Sequence, residues 1–126
     1  MREIKFRGYG KDAKHWIYGS LLDERSAGIV AIQDEDCHVW EVEPESVGQY
    51  TGHYDEMGTE LYEGDIVSGY FEEDEWPAVV EWDEVTASFV LEGQCSQIRF
   101  DEMGGLEIEI VGNIHDNPEL LEAPND

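Results

Sequence analysis

The chain has 126 residues, 40% of them hydrophobic, with 31 acidic and 7 basic residues and a formal net charge of −24 at pH 7. That is enough apolar material for one domain with a single core, which excludes a disordered chain, and no run of 18 apolar residues reads as a membrane span. Seven cations against 31 anions disfavour direct contact with nucleic-acid phosphates or an anionic membrane surface and favour a basic partner.

Arg2, Lys5, Arg7, Lys11 and Lys14 lie in the first 14 residues beside only Glu3 and Asp12, so this segment is net +3 and residues 15–126 are net −27. The opening "MREIKFRGYG" has no apolar stretch of the secretory type, which predicts a cytoplasmic protein. Cys37 and Cys95 are then predicted to be reduced thiols rather than a disulfide. "REIKFRG" alternates, with Ile4 and Phe6 on one face and Glu3, Lys5 and Arg7 on the other, as in a half-buried strand. "GKDAK" (Gly10 to Lys14) reads as the hairpin loop leading to a second strand, "HWIYGSLL". "AGIVAIQ" and "CHVWEV" form a second hairpin around the acidic turn Asp34, Glu35, Asp36, and "EPESV" is a turn or one helical turn begun by Pro44.

The stretch "VGQYTGHYDEMGTELYEGDIV" (Val47 to Val67) is rich in turn residues. Gly52, Gly58 and Gly64 are predicted at bends that need positive φ, and Asp65 is placed to accept backbone amides of its turn. Such residue types describe a structural framework without any ligand. "DIVSGYF", "WPAVVEW", "SFVLEG", "QIRF" and "LEIEIVGNI" continue as short strands, with Leu106, Ile108 and Ile110 facing away from Glu107 and Glu109. "NPELLE" is a short C-terminal helix capped by Asn117 and opened by Pro118. Nine or ten short strands with turns every 8–12 residues predict an all-β fold: N-terminal β-hairpins, a small SH3-like barrel over residues 60–114, and the short helix. Residues 1–126 are read as a single domain. Two lobes, 1–50 and a barrel lobe 51–126, meeting near Tyr50, are the alternative organisation.

Taken in order, "MREIKFRGYG", "IYGSLL", "VGQYTG", "GTELYEGDIV", "VVEWDE" and "IVGNIHDNPELLE" resemble the YopX family of phage and prophage proteins over essentially the whole chain. Two departures stand out: Tyr9 occupies the place of a usual tryptophan, and "HYDEMGT" replaces a lysine-bearing turn, removing positive charge and adding acid. The resemblance implies a β-rich fold, a phage origin, a cytoplasmic setting in the host cell and a tendency to self-associate. It implies no reaction.

Sites for chemistry are scarce. Of His15, His38, His53 and His115, only His38 has a neighbouring ligand type, Cys37, and successive strand residues point to opposite faces. Neither "DED" nor "EEDE" matches a calcium loop; both read as solvated charge. The nucleophile elbow, the phosphate-binding loop and the dinucleotide fingerprint are absent. The chain is therefore read as a non-enzyme, with no catalytic residue, no metal and no cofactor. Trp16, Trp40 and Trp82 lie in apolar runs and are expected in the core; Trp76, between "EEDE" and Pro77, is the candidate for exposure.

Charge is the remaining candidate for function. A compact chain of this size spans ~35 Å, and that length of duplex DNA carries about 20 charges, close to the 24 net negatives here. The expectation is a phage-encoded acidic binding protein that inhibits a basic nucleic-acid-handling host protein, of anti-restriction or anti-CRISPR type, by DNA-like charge mimicry. Its partner-binding residues would be Asp34, Glu35, Asp36, Glu72, Glu73, Asp74, Glu75, Trp76, Asp83 and Glu84. The alternative is a homo-oligomeric phage accessory protein. It would assemble through an apolar interface or by setting the basic N-terminal segment on a neighbour's acidic surface.

Overall fold

The short apolar and alternating segments become eleven strands among the described residues of the computed structural model, which are 4–69, 77–93, 97–100 and 108–121, with Glu24 and Arg25 described by backbone alone. The all-β expectation holds. The chain divides into two compact units, Met1–Tyr50 and Thr51–Asp126.

The first unit is an antiparallel meander of β1 (Phe6–Tyr9), β2 (Trp16–Glu24), β3 (Ile29–Gln33) and β4 (Val39–Glu41), with β1 also pairing the first residues of β5 (Gly48–Tyr54). Register decides the faces. Gly8 opposes Ile17, Leu21 opposes Ile32 and Ile32 opposes Trp40, so these residues share one side. There Ile17, Ile32 and Val42 form a buried cluster, with Phe6, Leu21, Val30 and Trp40 packed on it. Val42 lies so close over Gly8 that a Cβ there would meet its Cγ2 at 2.8 Å. The opposite face carries Trp16, Tyr18, Leu22, Ile29 and Val39; of these Tyr18 (47%), Leu22 (39%), Ile29 (42%) and Val39 (57%) are exposed. Pro44–Ser46 forms the expected single helical turn, as a 3-10 helix. The Ser46 hydroxyl donates to the Glu43 carbonyl (2.6 Å) and accepts the Tyr9 amide (2.7 Å). Ile4 departs from expectation: it precedes β1 and is 69% exposed.

In the second unit, β6 (Glu60–Tyr62) leads into β7 (Asp65–Gly69), β8 (Ala78–Asp83), β9 (Ser88–Glu92), β10 (Gln97–Arg99) and β11 (Ile108–Asn113). The last five form one sheet in the order β10-β9-β8-β7-β11, all described pairings antiparallel. This corrects the barrel: β10 and β11 are the two edges of an open sheet, so the strands of residues 60–114 do not close. Leu61, Val67, Ala78, Val80, Leu91, Ile98 and Ile108 make its core, with Phe100 and Ile110 against it. Each fully buried aliphatic side chain contributes about 2 kcal/mol of transfer free energy. Trp82 is a second correction. It lies on the same face as Val80, but β8 runs on past the core toward the hairpin end, where Trp82 is 43% exposed and edge-on to Phe89 at 5.0 Å. The C-terminal helix is a 3-10 turn, Pro118–Leu121. The Asn117 side chain reaches back to the Asn113 amide (3.3 Å) instead of capping it. Leu106, Glu107, Cys95 and Trp76 lie outside the described residues. Among the described residues no helix is long and apolar enough to cross a membrane.

Candidate functional site

The turn-rich stretch from Val47 to Val67 is framework. Gly52, Gly58 and Gly64 take φ of 88°, 83° and 94°, as expected of glycine at bends. Asp65 is buried and its Oδ2 accepts the Tyr62 amide (2.8 Å). Asp55, which the sequence did not single out, is also buried. Its Oδ1 accepts the amides of Met57 (2.9 Å) and Thr59 (2.8 Å), and its Oδ2 accepts the amide of Ile110 (3.2 Å). Both carboxylates replace backbone partners in loops, which explains acid at these positions without a ligand.

Asp34, Glu35 and Asp36 form the turn joining β3 to β4. The Cys37 amide donates to the Asp34 carbonyl (3.0 Å) and the Asp34 amide to the His38 carbonyl (2.9 Å). Cys37 sits at φ 67°, the left-handed position of a three-residue hairpin loop. Its thiol is free and exposed. Asp34 organises the loop: Oδ1 accepts the amides of Asp36 (3.0 Å) and His38 (2.9 Å), and Oδ2 accepts the Trp40 indole N–H (2.8 Å). The carboxylates of Glu35 and Asp36 are exposed.

This turn and the first half of β2 line a cavity of about 540 Å³. Pairing of β2 with β3 begins only at Ser20 and Gln33, whereas β2 pairs β1 from Trp16 onward. The lining includes His15, Trp16, Tyr18, Trp40, the three acids and Lys5. Trp16 already holds a cation: the Arg7 guanidinium lies 4.7 Å from its ring centre, and Tyr9 meets it edge-on at 5.6 Å. The His15 and His38 rings meet Trp40 edge-on at 6.0 and 6.3 Å. The Lys5 ammonium lies 5.3 Å from the Tyr50 ring centre.

The Trp40 indole N–H above all holds the Asp34 carboxyl below the ordinary aspartate pKa; burial, the next influence, opposes it, and the His38 and Asp36 amides add to the lowering. A carboxyl with a depressed folded pKa adds stability that is present above its unfolded pKa and lost as pH falls through the folded value. The Trp40 indole N–H resonance is therefore expected to titrate with a midpoint below that of an unstructured aspartate, and Asp34→Asn to abolish the step. A midpoint at or above the ordinary value would sink this assignment.

Asp34, Asp36 and His38 each bring one ligand atom within 4.8 Å of the others, a proximity created by the tight loop. Both Asp34 oxygens already accept N–H donors, which a cation would have to displace, and the trio is read as a turn scaffold. Asp83 and Glu84 occupy the β8–β9 turn of the second unit. Asp83 accepts the Val85 amide (3.2 Å) and the Thr86 hydroxyl (2.8 Å), while Glu84 is exposed. Glu72, Glu73, Asp74, Glu75 and Trp76 lie outside the described residues. The structure thus gathers Asp34, Glu35 and Asp36 in one turn, and Asp83 and Glu84 in another. The aromatic walls of the cavity were missed, because Trp16 and Trp40 read as core. The one sequence signal was the i, i+2 spacing of Trp16 and Tyr18, which puts both on one face of β2.

The family model described as YopX protein matches residues 5–122. The crystal structure of protein EF1440 from Enterococcus faecalis has a similar fold, with a TM-score of 0.59 and 20% sequence identity over 97% of this chain and 100% of that one. No curated protein matches.

Proposed function

The chain belongs to the YopX family, and on that premise we propose that it is a small acidic binding protein. Its partner is a basic, nucleic-acid-handling protein of the host cell, which it occupies by presenting a charge density like that of duplex DNA. The observation that carries this reading is where the charge lies. The chain is net −24, and of the described carboxylates only Asp55 and Asp65 are buried. The rest face solvent wholly or in part. Burial first, and then the neighbouring charges of Glu92 and Glu63, raise the pKa of Glu81, so repulsion among these carboxylates is a secondary part of the shift. A partner's cation laid over these groups would relieve that repulsion.

The test uses the immobilised chain, host lysate and a salt gradient, with elution by a duplex DNA oligonucleotide in parallel. The expected result is retention of a nucleic-acid enzyme that duplex DNA displaces and that the Glu35→Gln, Asp36→Asn, Glu84→Gln variant retains several-fold less. Equal retention by wild type and variant would overturn the reading.

A second reading has its own support. Tyr18, Leu22, Ile29 and Val39 are exposed on one face of the first unit's sheet, the kind of surface a second copy covers. The route through the basic N-terminal segment has less: Lys11 is bound to Glu41 at 2.9 Å, an interaction that raises its pKa, and Arg7 is buried. Deleting residues 1–8 would also remove three of the four residues of β1, which lies between β2 and β5. Self-association through the sheet face predicts a mass that rises with concentration and falls to that of one chain on Leu22→Asp.

A further inference from the structure

We propose that the cavity between the first half of β2 and the Asp34–Asp36 turn receives an arginine side chain of the basic partner, with the guanidinium on the exposed Tyr18 ring, beside the Trp16 that Arg7 already occupies, and paired to the carboxylates of Glu35 and Asp36. This rests on the reading above and names the point at which the partner is gripped.

Three features converge. The cavity of about 540 Å³ lies within the size range of ligand sites, and it admits a long side chain with some flanking backbone. Its walls hold tryptophan and tyrosine, the residues most enriched with arginine at interface hot spots. Tyr18 is 47% exposed, so its ring is accessible. The chain itself shows the interaction in miniature, with the Arg7 guanidinium 4.7 Å from the Trp16 ring centre. The rim supplies the countercharge. Asp34 is committed to Trp40 and to two amides, and Glu35 and Asp36 stand exposed beside it. Lys5 also lines the cavity but is directed at Tyr50, 5.3 Å from its ring centre, and three carboxylates outweigh it. A planar guanidinium can stack on a ring and bond a carboxylate bidentately at once, whereas an ammonium acts as a point charge. Arginine is therefore favoured over lysine.

The test titrates the full chain with three capped pentapeptides, glycine-flanked and centred on arginine, lysine or the neutral isostere citrulline, followed by the Trp16 and Trp40 indole resonances. Arginine is expected to bind at least tenfold tighter than citrulline and several-fold tighter than lysine. Glu35→Gln with Asp36→Asn should weaken it about tenfold and Tyr18→Ser several-fold, with unfolding midpoints unchanged because all three side chains are exposed. The control, Glu92→Gln with Glu109→Gln, removes the same charge from exposed positions of the second unit and should change little. Equal affinity for arginine and citrulline, or an equal loss in the control, overturns the pocket. If host proteins are retained at full strength by Tyr18→Ser but lost by the Glu35→Gln, Asp36→Asn, Glu84→Gln variant, the pocket fails and the charge reading stands. If none is retained by the wild type while arginine is still preferred, the charge reading fails and the pocket stands.

Discussion

Asp55→Ala is expected to lower stability by about 3 kcal/mol. The side chain is buried and satisfies three backbone amides, those of Met57, Thr59 and Ile110. Each hydrogen bond to a charged acceptor contributes roughly 1.5–3 kcal/mol, and a buried donor left without a partner costs about 1–3 kcal/mol. The full sum is not reached, because Met57 and Thr59 are exposed and their amides recover water. Ile110, packed against the core, recovers less. Asp55→Asn should fall between: its carbonyl oxygen can still serve the loop, but its NH₂ would then face the Ile110 amide donor to donor. The order wild type, Asn, Ala in urea midpoint checks the assignment. An alanine variant within about 0.5 kcal/mol of wild type, the range of ordinary surface substitutions, would remove Asp55 from the framework.

Gly19→Ala is the second large effect, and it bears on the site. An added Cβ would fall within the contact distance of the Gln33 carbonyl oxygen, 2.9 Å from its carbon and 3.1 Å from the Asp34 Cα. All three are backbone atoms, so no rotamer change relieves the clash, and β2 and β3 must separate where the cavity begins. Overpacking costs roughly 1–3 kcal/mol when neighbours can yield; here about 3 kcal/mol is expected, together with loss of arginine-peptide binding. Gly28→Ala is the contrast. It meets nothing within 4 Å and carries only a φ of 70°, so about 1 kcal/mol of backbone strain is expected with binding intact. Equal losses for the two variants would show that contact with Gln33 does not set the β2–β3 register.

Much of the framework is legible in the sequence because it is written locally. Short apolar runs bounded by turn residues mark β2, β3, β8 and β9. Glycine marks the bends at 52, 58 and 64, and Pro44 marks the start of its helical turn. The acidic turn of Asp34, Glu35 and Asp36 was also legible, since a loop between two alternating segments needs polar residues. Asp55 was not. Its loop partners are two and four residues away, but the Ile110 amide lies 55 residues on, and nothing in "YDEMGT" distinguishes a buried aspartate from the exposed glutamate beside it.

The sequence by itself determined the all-β class, the hairpin order of the first unit, the positions of the turns and the excess of negative charge. These depend on each residue's backbone preference and on its nearest neighbours. Tertiary structure alone decided that β7 to β11 form an open sheet rather than a barrel, that Trp82 reaches past the core, and that Trp16, Tyr18 and Trp40 share a cavity with an acidic turn. A period-two pattern says that a strand has two faces. Which face is covered, which edge stays open and where two strands stop pairing are set by register between residues distant in the chain, as when Ser20 meets Gln33 and the pairing of β2 with β3 begins.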